Sequence, residues 1–206
     1  MKILVAIVGE SGCGKSTVIS RLTELKGFYS IDSYTTRPMR EENEKGHIFV
    51  REEDYEFTLE TVAVAGGLGK QELVIKKNGE PINYIAYTKF NGNHYWAQED
   101  QILDTERTSY GLYTVDPYGL DELKKRLKDT DVKLFSIYLS LPHDERLERM
   151  KQRGDTFHSA VERINHDKYA FREIHTDVTL NISGMTSADV TAIVYRLITD
   201  FAWSQA

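Results

Sequence analysis

The sequence predicts an α/β fold in which a parallel sheet is flanked by helices. Apolar runs at 3–8, 111–115, 132–140 and 177–182 read as buried strands, and each is followed by a stretch with apolar residues at helical spacing. Between the first strand and its helix lies Gly9-Glu10-Ser11-Gly12-Cys13-Gly14-Lys15-Ser16, a gapless match to the phosphate-loop pattern G-x-x-x-x-G-K-[ST], which needs that strand-to-helix setting. The 206 residues allow one sizeable core with small subdomains and are too few for two full domains.

The loop comes first because its residue types specify a chemistry. Gly9, Gly12 and Gly14 let the backbone turn tightly enough for successive N–H groups, including those of Ser11 and Cys13, to converge on phosphate oxygens. Lys15 supplies a point charge for the outer phosphates, Ser16 a hydroxyl for Mg²⁺, and the helix that runs on from Thr17 points its positive dipole end at the anion. A plain glycine-rich turn before a helix is the alternative, but such a turn has no use for a lysine and a hydroxyl at these offsets.

Composition narrows the partners. Charged residues at 28% and hydrophobic ones at 40% describe an ordinary globular chain. A formal net charge of -6 argues against general binding of nucleic acid or an acidic membrane surface, while leaving free nucleotides possible through a local basic pocket. A single cysteine, Cys13, excludes an internal disulfide or a cysteine metal cluster and suits the cytoplasm. The six histidines show no metal-ligand spacing. The apolar run after Lys2 is shorter than a signal-peptide core, and no segment approaches the roughly 20 apolar residues of a membrane span.

After Gly27, a short strand at 28–32 ends at Ser33, and Ser33-Tyr34-Thr35-Thr36-Arg37-Pro38-Met39-Arg40 follows. Arginine suits two-pronged phosphate contact and Pro38 stiffens the loop carrying both arginines, although a solvated basic loop has the same composition. A Gly-x-Ser-Gly-x-Gly-Lys-Ser-Thr loop followed by Ser-x-Thr-Thr-Arg-x-x-Arg resembles the guanylate kinase family of nucleoside monophosphate kinases. The resemblance implies a single domain: a phosphate-loop core at about 1–32, 98–141 and 165–206, a mostly β insert for the monophosphate at about 33–97, and a helical lid at about 142–164. It also implies that Arg37 and Arg40 hold the acceptor phosphate, with Ser33 beside them.

Between Arg40 and Ala97 the chain departs from that family. Glu41 to Lys45 reads as a solvated turn with Glu44 close to a family acidic position, and Gly46 to Val50 resembles a family segment but lacks its tyrosine. Alternation from Val62 to Ile85 around Gly66-Gly67 and Asn78-Gly79 predicts hairpins. The stretch from Phe90 to Ala97 resembles Phe-x-Gly-x-x-Tyr-Gly-Ser, which places Tyr95 on an acceptor-phosphate tyrosine, while Ala86 and Ala97 stand where the family has a glutamate and a serine that read guanine. Guanine offers donors that want a carboxylate, and alanine supplies none.

The strand at 111–115 ends in Asp116, at the sheet edge where ligands bind, so Asp116 is a candidate for orienting the acceptor or a metal-bound water. A turn-initiating aspartate before Pro117 is the plainer reading. Thr114 replaces a family acid. After the strand at 132–140, Pro142 and Asp144 open a helix bearing Arg146, Arg149 and Arg153, which Gly154 stops. Arg149 and Arg153 share a face and serve either a salt-bridged surface or, as the resemblance implies with Arg163, a lid that closes over ATP. Helices at about 159–174 and 187–201 and the strand at 177–182 complete the chain. Asn181 matches an asparagine against the donor adenine in the family, or is a strand-end turn residue.

The expected activity is therefore transfer of the ATP γ-phosphoryl to (d)GMP or a related nucleoside monophosphate, with Mg²⁺ at Ser16 and charge from Lys15, Arg37, Arg40, Arg149, Arg153 and Arg163; a kinase for a different or modified deoxynucleotide and a catalytically silent guanylate-kinase-like interaction module are the alternatives. The expected partners are ATP and that monophosphate, with the chain a cytoplasmic monomer or homodimer.

Overall fold

A computed structural model describes residues 2–40, 42–62, 70–90, 92–103 and 110–205. Its centre is a five-stranded parallel sheet of β1 (Lys2–Gly9), β2 (Phe28–Ile31), β10 (Tyr110–Val115), β11 (Val132–Ser140) and β12 (Val178–Asn181), in the order β12-β11-β1-β10-β2. Every residue of β1 is buried, because a central parallel strand has helices on both faces and so cannot alternate. One face packs on α1 (Lys15–Leu22) and α6 (Ser187–Ser204), the other on α3 (Pro117–Leu127). The α6 start is a capping box between Thr186 and Asp189, and the α3 start uses Asp116 as its cap with Pro117 in the first turn, so both boundaries are fixed by local hydrogen bonding.

The segment after β2 builds two further sheets. β3 (Ser33–Thr35), β4 (His47–Phe49), β8 (Tyr84–Phe90) and β9 (Asn93–Gln98) form one, in the order β4-β3-β9-β8. β5 (Tyr55–Val62), β6 (Lys70–Lys77) and β7 (Glu80–Pro81) form the other and enclose an aromatic cluster around the fully buried Trp96. The Asn78-Gly79 turn joins β6 to β7 as the alternation predicts, with both residues at positive φ. The Gly66-Gly67 turn, Glu41 and Asn91 lie outside the described residues. Ser33 opens a strand of the second sheet, and a short helix α2 (Glu99–Leu103) follows β9, neither of which the sequence suggests.

Two helices, α4 (His143–Gln152) and α5 (Phe157–Ala170), leave β11 as a hairpin packed through Met150, Ala160 and Ile164. They stand over the carboxyl ends of β1 and β11. Among the described residues no helix is long and apolar enough to cross a membrane.

Candidate functional site

The carboxyl edge of the parallel sheet gathers most of the candidate residues. The loop after β1 is shaped by close approaches: a Cβ on Gly9 would lie 2.6 Å from the Cys13 sulfur and 2.9 Å from the Leu139 carbonyl oxygen. Gly12 has φ 86° and its absent Cβ would meet the Arg146 carbonyl oxygen at 2.8 Å, so any side chain would push the loop off α4. Lys15 curls back and donates to the carbonyl oxygens of Gly9 (2.5 Å) and Glu10 (3.2 Å). Ser16 and Thr17 are exposed on the first turn of α1, and Cys13 is a buried small residue of the loop.

Arg149 reaches this loop, its Nη1 lying 3.7 Å from the position a Gly14 Cβ would take. One turn further along the hairpin, Arg153 and Arg163 share the carboxylate of Asp155. Burial, with the guanidinium groups of Arg40 and Arg153 nearby, holds the Arg163 pKa down to about 10, and its buried Nε and Nη1 have no hydrogen bond among the described residues, Nη1 having only the 3.5 Å ion pair with Asp155. Arg40 is likewise depressed by burial and then by Arg37 and Arg153. The structure thus brings together Arg40, from the loop after β3, and Arg153 and Arg163 of the α4–α5 hairpin, with Asp155 shared by the last two and Glu44 3.9 Å from Arg40.

Arg37 lies differently. It is buried, turned by an N–H to Thr35 Oγ1 bond of 3.1 Å, and its guanidinium pairs with Glu44 at 2.8 and 3.2 Å over the Phe49 ring. Burial raises the Glu44 carboxyl, but bonds from Arg37 and from the Arg40 amide outweigh it and hold the group below its ordinary range. His47 sits against the Phe49 and Tyr95 rings with its Nδ1 buried and unpartnered, and burial followed by the Arg37 charge pushes its pKa down to about 4. Tyr95 is held edge-on to the His47 ring at 5.9 Å between centroids.

The remaining candidates are tied to local structure. Ser33 is buried and donates to the Tyr113 hydroxyl at 3.4 Å. Asp116 caps α3 through the Gly119 amide at 2.7 Å and accepts from Thr88 at 2.7 Å, so the turn-initiating reading describes its contacts. Asn181 is exposed and accepts from the Ser183 amide at 3.0 Å, a strand-end turn. Ala86 is buried at φ 55° in a bulge of β8, where the Glu122 carboxylate accepts from the Ala86 and Tyr87 amides, the latter at 2.7 Å. Glu122, Asp155 and Asp167 belong to no motif, which is why sequence reading passes over them, and His47 lies in the Gly46–Val50 segment without matching a functional position of it. Arg146 is visible on the arginine-rich helix, but nothing in the spacing sets it apart from its neighbours.

No family model matches the chain. Over 177 residues, 84% of this chain and 73% of the relative, it is 26% identical to a guanylate kinase from Clostridium tetani. It is 34% identical over 91 residues, 42% of this chain, to a tryptophan synthase alpha chain from Staphylococcus carnosus, of which it spans about a third of the length (36%). The crystal structure of a guanylate kinase from Anaplasma phagocytophilum superposes with a TM-score of 0.59 at 15% identity, covering 97% of this chain and 86% of that one. The fold is guanylate-kinase-like.

Proposed function

We propose that this chain is an ATP-dependent nucleoside or deoxynucleoside monophosphate kinase of the guanylate-kinase type, moving the γ-phosphoryl of ATP to (d)GMP or a related monophosphate. The observation that supports this most is the approach of Arg40 to Arg153 and Arg163, of which Arg153 stands one helical turn from Arg149 at Gly14 and Arg163 one turn from Asp167 at Ser11. Arg40 and Arg163 are depressed first by burial and then by neighbouring guanidinium groups, and Asp155 offsets only part of that charge, so a further anion is favoured there and a phosphoryl group in flight between two phosphates is such an anion.

In this reading core, insert and lid are parts of one domain with the boundaries given above. The acceptor phosphate lies against Arg37, Arg40 and Tyr95, its oxygen attacks the γ-phosphorus in line, and no protein nucleophile is needed. Lys15 leaves the Gly9 and Glu10 carbonyls to meet the triphosphate, while Arg149, Arg153 and Arg163 offset its charge. Mg²⁺ fits the exposed Ser16 hydroxyl together with phosphate oxygens, and when bound it offsets charge on the β- and γ-phosphates. Closure of α4–α5 onto the insert excludes water.

A kinase for a base other than guanine is the second reading. Asp116 and Glu122, which accept from Thr88 and Tyr87 at the β8 bulge, are both engaged with backbone amides, and Ala86 and Ala97 add no carboxylate, so among the described residues at the bulge none is left free for the pair of donors on a guanine edge. Steady-state assay of ADP formation from ATP with each common ribo- and deoxymonophosphate tests both. Turnover with at least one acceptor is expected. ATP hydrolysis that no acceptor stimulates, or no turnover with any of them, overturns the kinase reading.

A further inference from the structure

A buried ionic network stands behind the glycine loop and has no part in the transfer chemistry set out above. The Ser11 amide donates to Asp167 Oδ2 at 2.7 Å, Arg146 pairs with the same oxygen at 3.4 Å and with Glu10 at 3.0 Å, and the Tyr138 hydroxyl donates to Glu10 at 3.1 Å. Arg146 is 5% exposed and Asp167 4%. A cavity of about 450 Å³ between α5 and the end of β11, lined in part by Tyr138, Ile164, Asp167 and Phe171, means that apolar packing does not support the loop on this side. Charge and hydrogen bonding do.

Two carboxylates so close to a polyphosphate site would repel the ligand if left bare. Arg146 lies between them and offsets that field, and its own carbonyl oxygen abuts Gly12. Arg149, one turn along the same helix, is the arginine that reaches Gly14. We propose that Asp167 and Arg146 are positioning residues: they fix the Ser11–Gly12 turn, with the Ser11 amide held by Asp167 and not offered to a phosphate as the loop pattern predicts, and, through α4, set the distance from Arg149 to the loop. This inference rests on the reading of the loop as the ATP site and adds residues outside the phosphate-loop pattern to it.

The test compares wild type with Asp167→Asn, Asp167→Ala and Arg146→Met by calorimetric titration of ATP and, separately, of GMP, with exchange of the Ser11 amide followed by NMR. In wild type that amide should be protected. Asp167→Ala should speed its exchange and weaken ATP binding about tenfold or more while GMP binding stays within about twofold. Asp167→Asn, whose side-chain oxygen still accepts from Ser11 but does not pair with Arg146, should fall between, and it carries the test if the alanine variant does not fold. Unchanged Ser11 exchange, or equal losses for ATP and GMP, overturns the proposal. If wild type binds no ATP, the nucleotide reading fails, and the exchange comparison alone decides whether the clamp exists.

Discussion

Arg37 and Glu44 form a two-pronged ion pair, Nη2 to Oε1 at 2.8 Å and Nη1 to Oε2 at 3.2 Å, that staples the loop after β3 onto itself. Both side chains are mostly buried, so their charges are worth more to each other than a surface pair and costly to separate. The pair holds Arg37 still over Phe49, while Arg40 is left half-exposed beside the arginines of α4 and α5.

Arg37→Ala strands the Glu44 carboxylate and should cost about 3 kcal/mol of stability, read as a fall in Tm of roughly 6–12 °C. Glu44 is depressed in the fold, so its contribution is complete above its ordinary value of 4.5 and is lost as pH falls through the lowered value. Glu44→Gln should remove that acid-dependent loss from a series of urea melts between pH 6 and 3.

His47 stays neutral in the fold down to about pH 4 although its ordinary pKa is 6.5. The unfolded chain therefore binds the proton first, and stability should decline as pH falls from about 6.5 toward 4. His47→Gln should flatten that slope while leaving stability at pH 8 little changed; an equal slope in the variant would assign the decline to other groups.

Among the described residues Lys15 hydrogen-bonds only carbonyls of its own loop and the Cys13 sulfur, so Lys15→Ala should change stability by no more than about 0.5 kcal/mol. Its effect on kcat should be a loss of about 10²–10³-fold or more if it meets the triphosphate. Circular dichroism melts and single-turnover kinetics on the same preparation separate the two.

Glu122→Ala leaves the amides of Ala86 and Tyr87 without an acceptor at a strained bulge and should cost about 1–3 kcal/mol in urea unfolding. Glu122→Gln keeps an acceptor oxygen and should recover most of the loss.

Strands β1, β10, β11 and β12 and helices α1, α3, α4, α5 and α6 were legible in the residue order because apolar period and local signals such as Pro117, Pro142 and Gly154 act over a few residues. The glycine loop was legible for the same reason: Gly12 and Gly14 are required by φ values that any single stretch of chain reveals through its residue type. The insert was only half legible. Its strands pair across long loops, and nothing short-range assigns Ser33 to a second sheet or closes β5–β7 over Trp96. Two aspartates and an arginine, Asp116, Asp167 and Arg146, mark the boundary most clearly. Sequence pattern placed Asp116 before a helix, and the fold added Thr88 from 28 residues away. Asp167 meets Ser11 across 156 residues, and Arg146 meets Glu10 only because α4 folds back over the sheet edge. Hydrogen-bond rules within a turn are written into neighbouring residues; electrostatic partners brought together by burial depend on where the whole chain has gone, and only the tertiary structure decides them.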